Sequence, residues 1–249
     1  WRSTPTCSRL PDPATPRDPL FEQIRRRHTH KGAYDNKRQV PAELWQQLGA
    51  ISRERGLLAG EIFDAARLDQ VRRITRESFE AEVITPRTWL ESAHLLRIGP
   101  TEIEQHRDGI SIMAALPRIM SSIGVFDRFE VPVRGNSNFA RVMERWLPHE
   151  TGSGYHWIAS RGNSRRSQLD SGRAYVRAHL SACAAGVDMH PLSQAVQEFA
   201  EVRPQYDALH RLLGFDAAQN TIQMLARVGY GATAAPPTPR RDLAQLVRA

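Results

Sequence analysis

Cysteine is scarce: the 249-residue chain holds two, Cys7 and Cys183, far apart and with no Cys-x-x-Cys pair. That rules out a zinc ribbon and a redox dithiol, and leaves the expectation of one exposed thiol and one buried small hydrophobe. No run of 18 or more apolar residues occurs, so no membrane-crossing helix is expected. The first twenty residues are rich in Pro and Arg and carry no apolar stretch of signal-peptide type, so a cytoplasmic location is the expectation. The sequence opens on Trp1 rather than Met, which leads us to expect that it is part of a longer precursor. Gly-x-Ser-x-Gly, P-loop and Rossmann fingerprints are all missing. No internal repeat is detectable.

What is present is ordinary for a globular protein: 41% hydrophobic and 24% charged residues, and enough chain to bury a substantial core. Lys and Arg number 34 against 27 Asp and Glu, a net charge of +7, with Arg dominant. Such a balance suits a nucleic acid, an anionic membrane surface or a phosphorylated ligand. Apart from Arg25–Arg27 and Arg165–Arg166, the cations are scattered, which reads as a solvated surface of helix-face ion pairs. A basic nucleic-acid-binding protein would show a steep salt dependence. The scatter and the missing reading motif argue against it, so neither nucleic acid nor membrane is expected as a partner.

In chain order, residues 1–19 read as an extended leader with five prolines. Asp18 and Pro19 then suit the N-cap and first position of a short helix ending at the Arg cluster. Pro41 opens a clear amphipathic helix with Leu44, Leu48 and Ile51 on one face, and Gly56 closes it. Strands are expected at 57–63, 152–160 and 222–228. Helices are expected at 68–83, 85–96 (Thr85 at the N-cap), 112–124 (interrupted at Pro117), 137–147, 169–186 and 202–213, with another opening at Pro191 and running to Ala200. Asp108-Gly109 reads as a turn, and Thr101 begins a partial capping box. Few strands among many helices imply an α+β layer, a small sheet covered by helices, over one domain spanning 20–249.

Three stretches are candidates for chemistry: Arg27-His28-Thr29-His30-Lys31; Gly186 to Gln194, containing His190-Pro191-Leu192-Ser193; and Gly229-Tyr-Gly followed by Pro239-Arg240-Arg241. Alternation puts Arg27, Thr29 and Lys31 on one side of an extended segment. A guanidinium can grip a phosphate bidentately, a hydroxyl can bond a polyol, and an ammonium can sit near a developing anion. The competing reading is a basic helix end followed by a solvated turn, and composition alone favours it. His28 and His30 form a His-x-His with no third ligand near in sequence, so a hydrogen-bonded pair outweighs a metal site. His156, beside Trp157 on a strand, reads as packed, and Arg173 reads at least as well as a surface ion pair.

The same stretches resemble the nitroreductase-like flavoproteins. Arg27, Thr29, Lys31, Tyr34 and Val40-Pro41-Ala42-Glu43 match that family's opening motif. The 186–194 run is similar to the segment whose backbone lies against the flavin ring, and Val228-Gly-Tyr-Gly231 is similar to the closing strand. The ordered set Arg26–Tyr34, Thr85–Ser92, Asp108–Ile110, Ser171–Arg177 and His190–Ala195 resembles the Acg-type branch in particular, from about Leu20 on.

The resemblance implies the nitroreductase-like α+β fold with a mostly antiparallel sheet, and FMN as cofactor. Arg27 and either Arg241 or Arg240 would hold the FMN phosphate. Thr29 would touch the ribityl chain or phosphate. Lys31 would lie near the pyrimidine edge, where negative charge collects on reduction, and His190, Pro191, Leu192 and Ser193 would line the ring. The implied activity is transfer of electrons from NAD(P)H to a small electrophilic acceptor, within a pseudo-dimer of two half-units or a homodimer. The alternative is an FMN-binding, FMN-sequestering protein without turnover. No residue is marked as a catalytic acid or base. In the Acg-type branch Arg commonly stands where Lys31 is. The family's Pro-Ser-x-x-Asn-x-Gln-Pro-Trp motif is absent from this sequence. The resemblance places it upstream, so one wall of the flavin site is expected here.

Overall fold

A computed structural model describes residues 16–112, 127–232 and 238–247. Eight helices of the α type are named here: α1 Ala42–Arg53, α2 Ala65–Ile84, α3 Pro86–Leu95, α4 Gly99–Gln105, α5 Ser137–Glu144, α6 Arg165–Ala184, α7 Arg203–Leu212 and α8 Leu243–Leu246. The strands are β1 Leu58–Ile62, β2 Leu96–Ile98, β3 Ile110–Ile112, β4 Gly154–Arg161, β5 Asp188–Pro191 and β6 Asn220–Gly229. The main sheet runs β1-β4-β6-β5 and every pair in it is antiparallel. β2 and β3 form a separate parallel pair. This is the α+β architecture expected, with helices on both faces of a small sheet.

Each face has its own core. On one, Leu44, Trp45 and Leu48 of α1 and Ala178 and Ala182 of α6 meet Met189, Ala226 and Val228 of the sheet. The alanines let α6 approach the sheet closely. On the other, Leu68, Val71 and Ile74 of α2 and Leu209 of α7 cover Ile62, Tyr155, Ile222 and Leu225. β6 keeps both Ile222 and Leu225 on this second face because Gln223 is an extra residue in the ladder: Ile158 pairs with Met224 and Ala159 with Ile222. A bulge of this kind resets which side chains face which side. Gly154 allows β4 to enter the sheet, since a Cβ there would lie 2.5 Å from the Ile62 carbonyl oxygen.

Several helix ends follow simple chemistry. Asp64 caps α2 by accepting from Arg67 N at 2.9 Å, and Ser164 caps α6 by accepting from Ser167 N at 3.1 Å. Both helices therefore begin earlier than apolar spacing suggested. Gly56 at φ 72° and Gly186 at φ 69° end α1 and α6 in the left-handed region. Thr85 precedes α3 as expected, but its hydroxyl donates back to Ala81 O at 2.7 Å rather than capping.

Three expectations need correction. The short helix after Asp18 is a single 3-10 turn, Phe21–Gln23. Asp108-Gly109 does turn, with Gly109 at φ 73°, but it delivers the unexpected strand β3. Pro191 does not open a helix: it ends strand β5, and only 3-10 turns at Gln194–Val196 and Ala200–Val202 follow. β5 is an edge strand, where Pro's missing N–H can face away from the ladder. The helix expected over 112–124, most of the leader and Cys7 lie outside the described residues. Cys183 is half-buried.

Candidate functional site

The sheet edge at β5 is where the first two candidate stretches meet. Residues 27–34 cross it, with Thr29 bridging Met189 in parallel fashion and Tyr34 bridging Gly231 in antiparallel fashion. Within this segment His30 is buried, Arg27 and Thr29 are half-buried, and Lys31 is exposed. His30 stacks on Tyr34 with ring centroids 5.4 Å apart. Its ring fills the space where Gly231 would carry a Cβ, 2.2 Å from the imidazole, so only glycine fits there.

Arg227, fully buried on β6, holds this crossing in place. Its Nη2 donates to the carbonyls of Gly32 at 2.7 Å and His30 at 3.2 Å. Its Nη1 donates to Pro148 O at 2.7 Å and Thr151 O at 3.3 Å. Its Nε donates to His190 Nδ1 at 3.1 Å. The guanidinium also lies 4.0 Å from the centre of the Tyr34 ring. Among the described residues no carboxylate pairs with Arg227, so backbone carbonyl dipoles compensate the buried charge. Thr151 reinforces the junction, accepting from Tyr34 N at 2.7 Å and donating to Pro148 O at 2.6 Å.

His190 stands directly opposite Arg227 in the β5–β6 ladder. It is buried, and its ring lies 4.8 Å from that of His149, which in turn sits edge-on to Trp146 at 4.7 Å. Burial first, then the neighbouring Arg227, His149, Lys31 and His30, depress the His190 pKa to about 2. Burial and Arg227 hold His149 at about 4. Both rings are therefore neutral near pH 7. Leu192 is buried in the core below, Pro191 is half-buried and Ser193 is exposed.

Arg27 meets a different histidine. Its Nη1 lies 3.5 Å from His179 Nδ1 on α6, and His179 Nε2 donates to His28 O at 3.1 Å. Burial, then Arg27, lower the His179 pKa to about 4. Among the described residues neither Arg27 nor Lys31 pairs with a carboxylate. His28 Nε2 lies 3.3 Å from Asp188 Oδ1, while Asp188 Oδ2 accepts from Gly231 N at 3.0 Å. His156 is packed as expected, 3.0 Å from the Ser52 hydroxyl, and Arg173 pairs with Asp170 at 3.3 Å.

The tail arginines lie elsewhere. Arg241 pairs with Asp108, and the adjacent Asp242 pairs with Arg107 at 3.0 Å. Arg240 bonds only back to Thr238 and Pro239 among the described residues. No hydrogen bond or ion pair links either to the 27–34 segment among those residues. A cavity of about 540 Å³ between α2, α3 and α5, lined by residues such as Phe79, Trp89 and Leu96, contains none of the expected site residues. Sequence reasoning missed Arg227, His149, His179 and Asp188. Arg227 carried a faint signal: an Arg in the otherwise apolar run Met224–Val228, a strand position that demands an internal partner.

No protein-family model matches the chain, and no curated protein matches it. Solved structures do, and they define the class: the chain has the nitroreductase-like α+β fold. It is similar to the FMN-dependent nitroreductase NfnB from Mycobacterium smegmatis, solved in complex with NADPH, at 15% identity and a TM-score of 0.55, over 92% of this chain and 96% of that one. It is similar to a nitroreductase with bound FMN from Bacteroides fragilis at 13% identity and a TM-score of 0.51, over 94% and 99%. Iodotyrosine deiodinase bound to FMN and 3-iodo-L-tyrosine matches at 14% and 0.52, over 90% and 96%. At these identities the likeness is one of fold, and the fold hosts more than one reaction. Among the described residues no helix is long and apolar enough to cross a membrane.

Proposed function

We propose that this chain is an FMN-dependent oxidoreductase of nitroreductase-like type, passing electrons from NAD(P)H to a small electrophilic acceptor. The observation that carries the reading is the 27–34 segment at the β5 edge: Arg27 and Lys31 without carboxylate partners among the described residues, and Thr29 bridging Met189 next to His190. An anionic phosphate and an electron-rich ring edge both suit such a wall. Neighbours of the same fold bind FMN, and one is held with NADPH, which supports cofactor and donor together. FMN would supply the two-electron chemistry.

In this reading Arg27 holds the phosphate, Thr29 the ribityl chain or phosphate, and Lys31 the pyrimidine edge. His190, Pro191, Leu192 and Ser193 form the ring-facing segment. Arg240 or Arg241 would be the second phosphate ligand once the tail closes over residues 27–34, which neither contacts among the described residues; of the two, Arg240 has no carboxylate partner among those residues. The Acg-type branch, with a second half-unit completing the ring site, is the closer assignment within the superfamily.

A visible absorption spectrum of the purified chain with added FMN, followed by anaerobic NAD(P)H, tests the reading. Retained flavin that bleaches supports it. Retained flavin that does not bleach favours the alternative, a protein that sequesters FMN without turnover. Failure to retain FMN, alone or with a half-unit that supplies the other wall, removes both.

A further inference from the structure

Among the described residues, the groups around the buried His190 are neutral or cationic. Arg227 faces it from β6, His149 from the turn Leu147–Glu150, and Lys31 and His30 from the segment crossing the sheet edge. Among these, Arg227 alone makes a hydrogen bond to a ring nitrogen of His190, through Nε at 3.1 Å to Nδ1. A guanidinium N–H can only donate, so Nδ1 must accept. A neutral imidazole that accepts at Nδ1 carries its proton on Nε2. The same guanidinium holds the carbonyls of His30 and Gly32, which flank Lys31. One buried side chain thus fixes both the proton position on His190 and the backbone on either side of the lysine.

We propose that Arg227 is a positioning residue for the candidate site, holding His190 as the neutral Nε2–H tautomer and fixing Lys31 relative to that ring. The site thereby presents one fixed N–H donor close to the backbone that carries the exposed Lys31, and both groups are able to meet negative charge on a bound electron-rich ring. The role assigned to that donor rests on the proposed FMN reading; the tautomer itself does not. The arrangement is insensitive to pH across the neutral range, because protonating Nδ1 would break its bond from Arg227 and, among the described residues, the groups facing His190 oppose the added charge.

The test uses the 249-residue chain without flavin. Long-range ¹H–¹⁵N correlation spectra of ¹⁵N-histidine-labelled protein separate the two neutral tautomers from each other and from imidazolium, and His190→Gln assigns the signal. The expected result is the Nε2–H form of His190 alone, unchanged from pH 8 to pH 5. Detection of Nδ1–H, a tautomer mixture or an imidazolium titrating near pH 6 at His190 in the wild-type chain overturns the proposal without any substitution at Arg227. Arg227→Met should release the tautomer and Arg227→Lys should not restore the single form, because an ammonium cannot reproduce the fork of donors. An unchanged Nε2–H signal in folded Arg227→Met also overturns it. FMN titration of the wild-type chain is read separately, so failure of the cofactor reading leaves the tautomer result standing.

Discussion

Two arginine–histidine pairs meet at residues 27–34, and they differ in what is left of each arginine after folding. Arg227 has no exposed surface, and its nitrogens are occupied by four backbone carbonyls, the Thr151 hydroxyl and His190 Nδ1. Arg27 is half-buried and, among the described residues, makes one long contact, 3.5 Å to His179 Nδ1. A guanidinium has five N–H donors. Arg227 has committed its donors to the protein, whereas Arg27 keeps most of them for something else. The same residue type therefore serves as an internal clamp in one place and as a candidate ligand grip in the other, and burial decides which.

The contrast can be broken most forcefully at Arg227. Replacing it by Met should cost about 3–5 kcal/mol, because several buried carbonyls lose their donor together. Urea denaturation measures this; a loss under about 1 kcal/mol would show that water or a neighbour satisfies those carbonyls.

Acid should come next. His149, His156 and His179 have pKa values depressed to about 4 and His190 to about 2, against 6.5 unfolded. Above pH 6.5 both states are neutral and their contribution to stability is complete. As pH falls below 6.5 the unfolded chain binds protons that the native chain refuses, so stability drops steadily toward pH 4. Urea midpoints measured from pH 7.5 to 4.5 should fall monotonically. The pairs themselves should separate under NMR, with His179 protonating at higher pH than His190.

A smaller effect is expected at the open pair. Arg27→Ala should weaken FMN binding by roughly 10- to 100-fold, the value of a charge-assisted hydrogen bond, with little change in the urea midpoint. Arg25→Ala, outside the motif's register, should do neither. Isothermal titration distinguishes the two, and equal losses from both variants would reduce Arg27 to general positive charge. At the bottom of the scale, Arg240→Ala should weaken FMN binding modestly while Arg241→Ala leaves it unchanged. The reverse order would mean that Arg241 leaves Asp108 to reach the ligand.

Much of the fold was legible in residue order. The periodicity of Leu44, Leu48 and Ile51, with Gly56 after them, defines α1. β5 was not legible, because His190-Pro191-Leu192 looks like a helix start until the strand beside it is known. The parallel β2–β3 pair was equally hidden, since three-residue strands carry almost no pattern. Arg27, Thr29 and Lys31 stood out because charge and hydroxyl alternate in a short run. Their supports did not, because Arg227, His149 and His179 lie far from that run and reach it only through folding.

By itself the sequence determined most of the longer helices, α1, α2, α3, α5, α6 and α7, and that one short run concentrates donors suited to an anion. These are local properties, set by side-chain spacing and by Gly and Pro at element ends. Tertiary structure alone decided that this run would cross the β5 edge, that a buried arginine with no carboxylate partner among the described residues would anchor it, and that His190 would sit opposite that arginine as a neutral ring. Those outcomes depend on strand order and register, which bring residues nearly two hundred positions apart within hydrogen-bonding distance, as with Arg227 Nη2 and Gly32 O at 2.7 Å.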